Sequence, residues 1–228
     1  MTYSLVAVCR RTGQVGVGAM TAMMGVGKLV SHARPRVGAA ASQAFMNPYL
    51  AIDGLRLLED GMDPREACAK LVGEDPGREG RQLGIVGLDG RSAAWTGSEP
   101  EDWKGHRTGD GWACQGNRLA GPQVVDVAVE AFLAREDDDL ADRLLAGLDA
   151  AEDAGGDTKG HRSATIYVVD TEEYPLLDLR VDHADDPLRQ LHHLYDNYKR
   201  DLLEEMRKLP TRANPLGEFD FAVADDAV

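Results

Sequence analysis

Lysine is scarce in this chain and acid is not. Asp+Glu 39 against Lys+Arg 25 leaves a net charge of −14 over 228 residues. A duplex nucleic-acid binder needs a basic face to neutralise phosphates, so no nucleic-acid partner is expected. Cysteine is also sparse, with 3 in all. Cys9, Cys68 and Cys114 are far apart and odd in number, which implies neither a disulfide framework nor metal-ligand spacing. Cys9 and Cys114 lie in apolar, strand-like surroundings and read as buried thiols. No apolar run is as long as a membrane span, and the start lacks a charged-then-apolar signal peptide. The expectation is a cytoplasmic protein with no membrane partner. Nucleotide motifs are missing too. Gly16, Gly18 and Gly25 do not form G-x-G-x-x-G at a strand-to-helix turn, and there is no G-x-x-x-x-G-K-[ST].

No cofactor and no metal are implied. Asp137, Asp138 and Asp139 are contiguous, so their carboxylates do not converge on one ion, and they read as a solvated helix start. His192 and His193 are adjacent on a helix and point to different sides.

What is present is a globular composition, 43% hydrophobic and 28% charged. That suits one domain over 1–209, followed by an acidic, aperiodic tail over 210–228. Residues 1–10 read as a strand, and Thr12-Gly13 turns the chain into a second strand over 15–20, giving a hairpin. The small-residue run over 37–46 reads as a strand against which something packs closely. Asn47-Pro48 and Asp63-Pro64 each supply an N-cap and a proline in the first helical turn, so two helices follow one another. Strands are expected over 82–88 and 92–96, hinged at Asp89-Gly90, and again over 112–117. Residues 99–111 are polar and glycine-bearing and read as a loop. Two more helices follow from Gly121-Pro122 and from Asp139, then strands over 163–169 and 176–181. A last amphipathic helix starts at Asp186-Pro187, and its second half suits packing on a second copy, giving a homodimer. Helix pairs alternating with antiparallel hairpins imply an α+β fold in which helices cover sheets.

Thr2 attracts attention within this order. If Met1 is removed, a threonine at the head of a strand carries a hydroxyl and an α-amine on one residue. The amine, with a pKa of roughly 7.7–8.0, can serve that hydroxyl as general base. An ordinary, chemically idle strand start is the competing reading.

Several segments carry a family resemblance. They are Val37-Gly38-Ala39-Ala40-Ala41-Ser42-Gln43-Ala44-Phe45-Met46-Asn47-Pro48, Arg81-Gln82-Leu83-Gly84-Ile85-Val86, Gly105-His106-Arg107, Gln115-Gly116-Asn117-Arg118-Leu119-Ala120-Gly121-Pro122 and Asp178-Leu179-Arg180-Val181-Asp182. Over roughly residues 2 to 195 the chain resembles the DUF1028 family, which looks like an N-terminal-nucleophile (Ntn) hydrolase-like group of bacteria and archaea. The resemblance implies a four-layer αββα sandwich, Ntn-hydrolase-like, with two antiparallel sheets stacked between helical layers. Many Ntn hydrolases cleave amides with a processed N-terminal Thr, Ser or Cys, and Thr2 falls in that place. The fold also serves proteins without a terminal nucleophile. One segment departs from the family. Where a small residue and Val-Pro-Trp are common before the Val-Gly-Ala run, this chain has Val30-Ser31-His32-Ala33-Arg34-Pro35-Arg36.

Three functions remain open on these residues. The first is a C–N (amide) hydrolase with Thr2 as nucleophile and a small-molecule or peptide substrate. Gln43 and Asn117 would be oxyanion donors, Gln115 a second pocket donor or a neighbour that orients Asn117, His106 a pocket side chain, and Lys28 either a cation that keeps the amine neutral or a loop lysine on the surface. The second is a non-catalytic ligand- or peptide-binding module on the same fold, and the third a hydrolase that uses internal residues.

Overall fold

The computed structural model describes residues 2–100 and 102–218, and all that follows concerns these. The removal of Met1 and the tail over 219–228 lie outside the described residues.

The first strand, β1 (Thr2–Val8), is buried along its whole length. Its alternation sends Tyr3, Leu5 and Ala7 to one face, and the chain turns at Gly13, whose φ of 79° suits a residue without Cβ. The return strand β2 (Val15–Thr21) pairs with it antiparallel, Thr2 opposite Thr21 and Val8 opposite Val15. A short helix α1 (Val26–Leu29) and strand β3 (Ser31–Arg34) follow, then the small-residue strand β4 (Gly38–Ala44). The helices α2 (Pro48–Glu59) and α3 (Pro64–Glu74) begin as their signals demand. The Asn47 and Asp63 side chains accept from the backbone N–H two residues on, with proline in the first turn of each helix.

Next come β5 (Arg81–Gly87), β6 (Ser92–Thr96), β7 (Trp103–Gly109) and β8 (Trp112–Leu119). The helices α4 (Gln123–Leu133) and α5 (Leu140–Asp153), strands β9 (Ser163–Val169) and β10 (Pro175–Val181), and helices α6 (Pro187–Asp201) and α7 (Leu203–Arg207) complete the order.

Two antiparallel sheets result. One has six strands in the order β10-β9-β2-β1-β8-β7, the other four in the order β3-β4-β5-β6. They stack face to face. Val6, Val17, Ala19 and Ala113 of the larger sheet meet Ala39, Ala41 and Val86 of the smaller. Outside the larger sheet, Leu5 and Ile166 pack on Val125, Phe132, Leu144 and Leu191 from α4, α5 and α6. Outside the smaller sheet, Leu83 and Ile85 pack on Leu50, Leu55, Ala67 and Val72 from α2 and α3. The fold is therefore an α+β sandwich with helices on both outer faces.

Residues 103–109 are a strand and not a loop. β7 is the edge of the larger sheet and is mostly half-buried, so its side chains show no apolar alternation, while its backbone pairs with β8. The β3 and α1 segments, 4 residues each, are too short to show a period. Leu202 breaks the last helix and is 46% exposed. The three cysteines are free and buried. No helix among the described residues is long and apolar enough to cross a membrane.

Candidate functional site

Directly opposed residues on adjacent strands share a face, so the register lays out the space between the sheets in rows. In the larger sheet one row reads Ser163, Thr21, Thr2, Asn117 across β9, β2, β1 and β8. Two residues further along, Ser4 of β1 lies opposite Gln115 of β8, which lies opposite His106 of β7. In the smaller sheet Gln43, Gln82 and Thr96 lie abreast on β4, β5 and β6. The seam between the sheets is thus apolar at one end and filled with carboxamides and hydroxyls at the other. Thr2 sits at the polar end.

These groups bond to one another with little slack. Gln115 Nε2 donates to Ser4 Oγ at 2.6 Å, and Ser4 Oγ donates to Gln43 Oε1 at 2.6 Å. Gln82 Oε1 accepts from both Gln43 Nε2 at 2.9 Å and Asn117 Nδ2 at 2.8 Å. Gln82 Nε2 donates to the Gly116 carbonyl at 2.7 Å and lies 3.1 Å from Thr96 Oγ1. The amides of Gln43 and Asn117 also reach the backbone carbonyl of Thr2, at 3.2 and 3.4 Å. Thr2 Oγ1 itself is 3.0 Å from Thr21 Oγ1, with either hydroxyl able to donate. Gln43, Gln82, Gln115 and Asn117 are all buried, and Thr2 is 6% exposed. A buried amide without partners costs about 1–3 kcal/mol, so the mutual pairing is what allows four of them in one place. Gln115 Oε1 is the exception and has no hydrogen-bond partner.

Backbone geometry marks the same place. Ala44 and Arg118, the residues directly after Gln43 and Asn117, have φ of 71° and 56°. Side chains other than glycine rarely adopt that left-handed region, at about 1–2 kcal/mol each, and such residues gather where a structure holds a neighbour in a set orientation.

The structure brings Thr2, Gln43, Gln115 and Asn117 together in one cluster. His106 joins it from the edge, with Nδ1 2.9 Å from Thr96 Oγ1. Its pKa is lowered, first by burial and then by the Arg107 charge, which favours the neutral ring. Lys28 lies elsewhere in contact terms, its Nζ 3.6 Å from Asp182 Oδ2 with both side chains exposed. On β10, Arg180 pairs with Asp178 at 3.4 Å, while Asp182, just past the end of the strand, pairs with Lys28. Sequence reasoning missed Gln82, the centre of the cluster, together with Ser4, Thr21 and Thr96. The available signal was a glutamine at an inward position of a strand that is otherwise apolar.

A cleft of about 820 Å³ lies on the helical side of the larger sheet and is lined by Met20, Glu152, His161 and His192 among others. It does not include Thr2. Geometry and bonding single out the amide cluster, and cavity size does not. Among the described residues no group of three or more His, Cys, Asp or Glu is placed to hold a metal ion.

Fold and cluster together define a class: an α+β sandwich whose inter-sheet seam is closed at one end by carboxamides around the first strand. The chain belongs to DUF1028, a family of unknown function whose model matches residues 2–191. The crystal structure of protein SPO2555 from Silicibacter pomeroyi, a DUF1028 protein, is similar to it at 34% identity, covering 96% of each chain with a TM-score of 0.88. No curated protein matches the chain.

Proposed function

We propose that this chain is an amide hydrolase of the N-terminal-nucleophile type, on an Ntn-hydrolase-like fold, acting through Thr2 once Met1 is removed. The observation that carries the reading is the grip on Thr2, whose carbonyl lies within hydrogen-bond reach of two buried side-chain amides. Its hydroxyl meets that of Thr21 at 3.0 Å. In this reading Thr2 Oγ attacks the carbonyl carbon of a small amide or peptide, and the α-amine takes the hydroxyl proton. The amine then returns that proton to the departing nitrogen as the C–N bond breaks, leaving an ester on Thr2 that water hydrolyses. Gln43 and Asn117 act as positioning residues that hold Thr2. Donation to the oxyanion would draw the same N–H groups from the Thr2 carbonyl. No cofactor enters the scheme.

A second reading, a ligand-binding module without catalysis, is favoured by the burial of Thr2 at 6% exposure. Intact mass and turnover separate the two. The hydrolase reading expects a mature chain that begins at Thr2 and an amide-panel activity lost at least about a hundredfold in Thr2→Ala, with part kept in Thr2→Ser. An active protein that retains Met1, or a Thr2→Ala variant with undiminished turnover, would sink it.

A further inference from the structure

A cleft of about 550 Å³ opens between α3 and strands β6 and β7, lined by Arg65, Cys68, Val72, Arg78, Trp95 and His106 among others. Its size is that of a small-molecule site. Among the described residues no Asp or Glu lines it, and two arginines do. Among the described residues the Arg65 guanidinium makes no ion pair, and Arg78 reaches only Glu79, at 3.7 Å. The Glu79 carboxylate is itself engaged by the Ser98 N–H and hydroxyl, at 3.1 and 2.8 Å. The local field therefore favours an anion although the molecule as a whole repels one.

The rest of the lining is mainly apolar, with Ser92, Thr108 and His106 as its polar members, and contains one fixed aromatic wall. Trp95 Nε1 donates to the Arg78 carbonyl at 3.0 Å, which holds the indole in place and ties it to the segment that carries one of the arginines. A planar ring stacks on such a surface, and a guanidinium pairs with the carboxylate of the same ligand. At the inner end stands His106, whose Nδ1 is occupied by Thr96. Thr96 Oγ1 is in turn 3.1 Å from Gln82 Nε2, so His106 is the side chain shared by the cleft and the amide cluster.

We propose that this cleft is a binding site for a small aromatic anion, with Trp95 as the stacking surface and Arg65 and Arg78 as the anion partners. The site does not require Thr2 to be a nucleophile. The probe is 2-naphthoate, compared with the uncharged 2-naphthylmethanol, titrated calorimetrically into the full chain while the His106 ring resonance is followed by NMR. The expected result is one saturable site for naphthoate, at least about tenfold tighter than for the alcohol, with the His106 signal shifting over the same range. Trp95→Ala should weaken both ligands, and Arg65→Ala with Arg78→Ala should erase the preference for the anion. The two arginine changes are on the surface, and an unchanged thermal midpoint confirms the fold. No saturable binding of naphthoate to the unaltered protein overturns the proposal, as does an anion preference that survives the loss of both arginines.

Discussion

Gly84 of β5 and Gln115 of β8 face each other across the seam so closely that a Cβ on the glycine would overlap Gln115 Oε1 and lie 2.6 Å from its Cδ. The spacing of the two sheets at the amide cluster is set by this contact. A methyl group there has to displace Gln115, which donates to Ser4 at 2.6 Å. Gly84→Ala is therefore expected to destabilise the protein by about 1–3 kcal/mol, the usual range for overpacking. Chemical denaturation measures it. Combining the change with Gln115→Ser should recover part of the loss, and a double variant no better than the single would place the strain elsewhere.

Gln82 is the residue on which the cluster turns. Gln82→Leu keeps the volume nearly the same but leaves the Gln43 and Asn117 amides without their shared acceptor and the Gly116 carbonyl without its donor. Both amides keep longer contacts to the Thr2 carbonyl, so the expected loss is that of the shorter bonds and of the Gly116 pairing, on the order of 1–3 kcal/mol. Equilibrium unfolding in urea compares the two variants directly. A Leu variant as stable as the parent would mean that the amides find other partners.

Acid should loosen the molecule partly through His106. Burial lowers its pKa below the ordinary 6.5. The unfolded chain then binds a proton more readily than the folded one, so stability is full above about pH 6.5 and falls as pH drops toward the folded value. His106→Gln should flatten that part of the stability–pH curve. His32, also lowered by burial, carries a remainder of the same sign. A curve between pH 7 and 5 that His106→Gln leaves unchanged would refute the assignment.

Much of the scaffold could be read from residue order. The 2–21 hairpin, the three Pro-started helices and the Asp89-Gly90 turn depend on local chemistry, and the structure has each of them. Its layers required more. Period-2 alternation shows that Gln82, Gly84 and Val86 share a face, but not that Ser4, Gln115 and Gln43 lie on the facing surfaces. That follows from pairing residues up to 111 apart in sequence. Thr2, Gln43, Gln115 and Asn117 were found because each stands at a strand end or on a conspicuous strand. Gln82 was passed over because a single polar residue in an apolar strand looks like an edge contact until the opposite sheet is in place. β7 was missed for a related reason. An edge strand whose side chains are mostly half-buried has no clear inward pattern to betray it, and Gly105, His106 and Arg107 have turn-like composition.

None of the side chains that grip Thr2 carries a charge. Carboxamides and hydroxyls neither gain nor lose protons over the physiological range, and salt scarcely screens hydrogen bonds sealed away from water. The clamp should therefore hold equally well in dilute buffer and in brine, whatever the −14 surface does. An acid–base profile measured for this protein would then report on its titrating side chains, His106 and His32 among them, with the clamp itself silent.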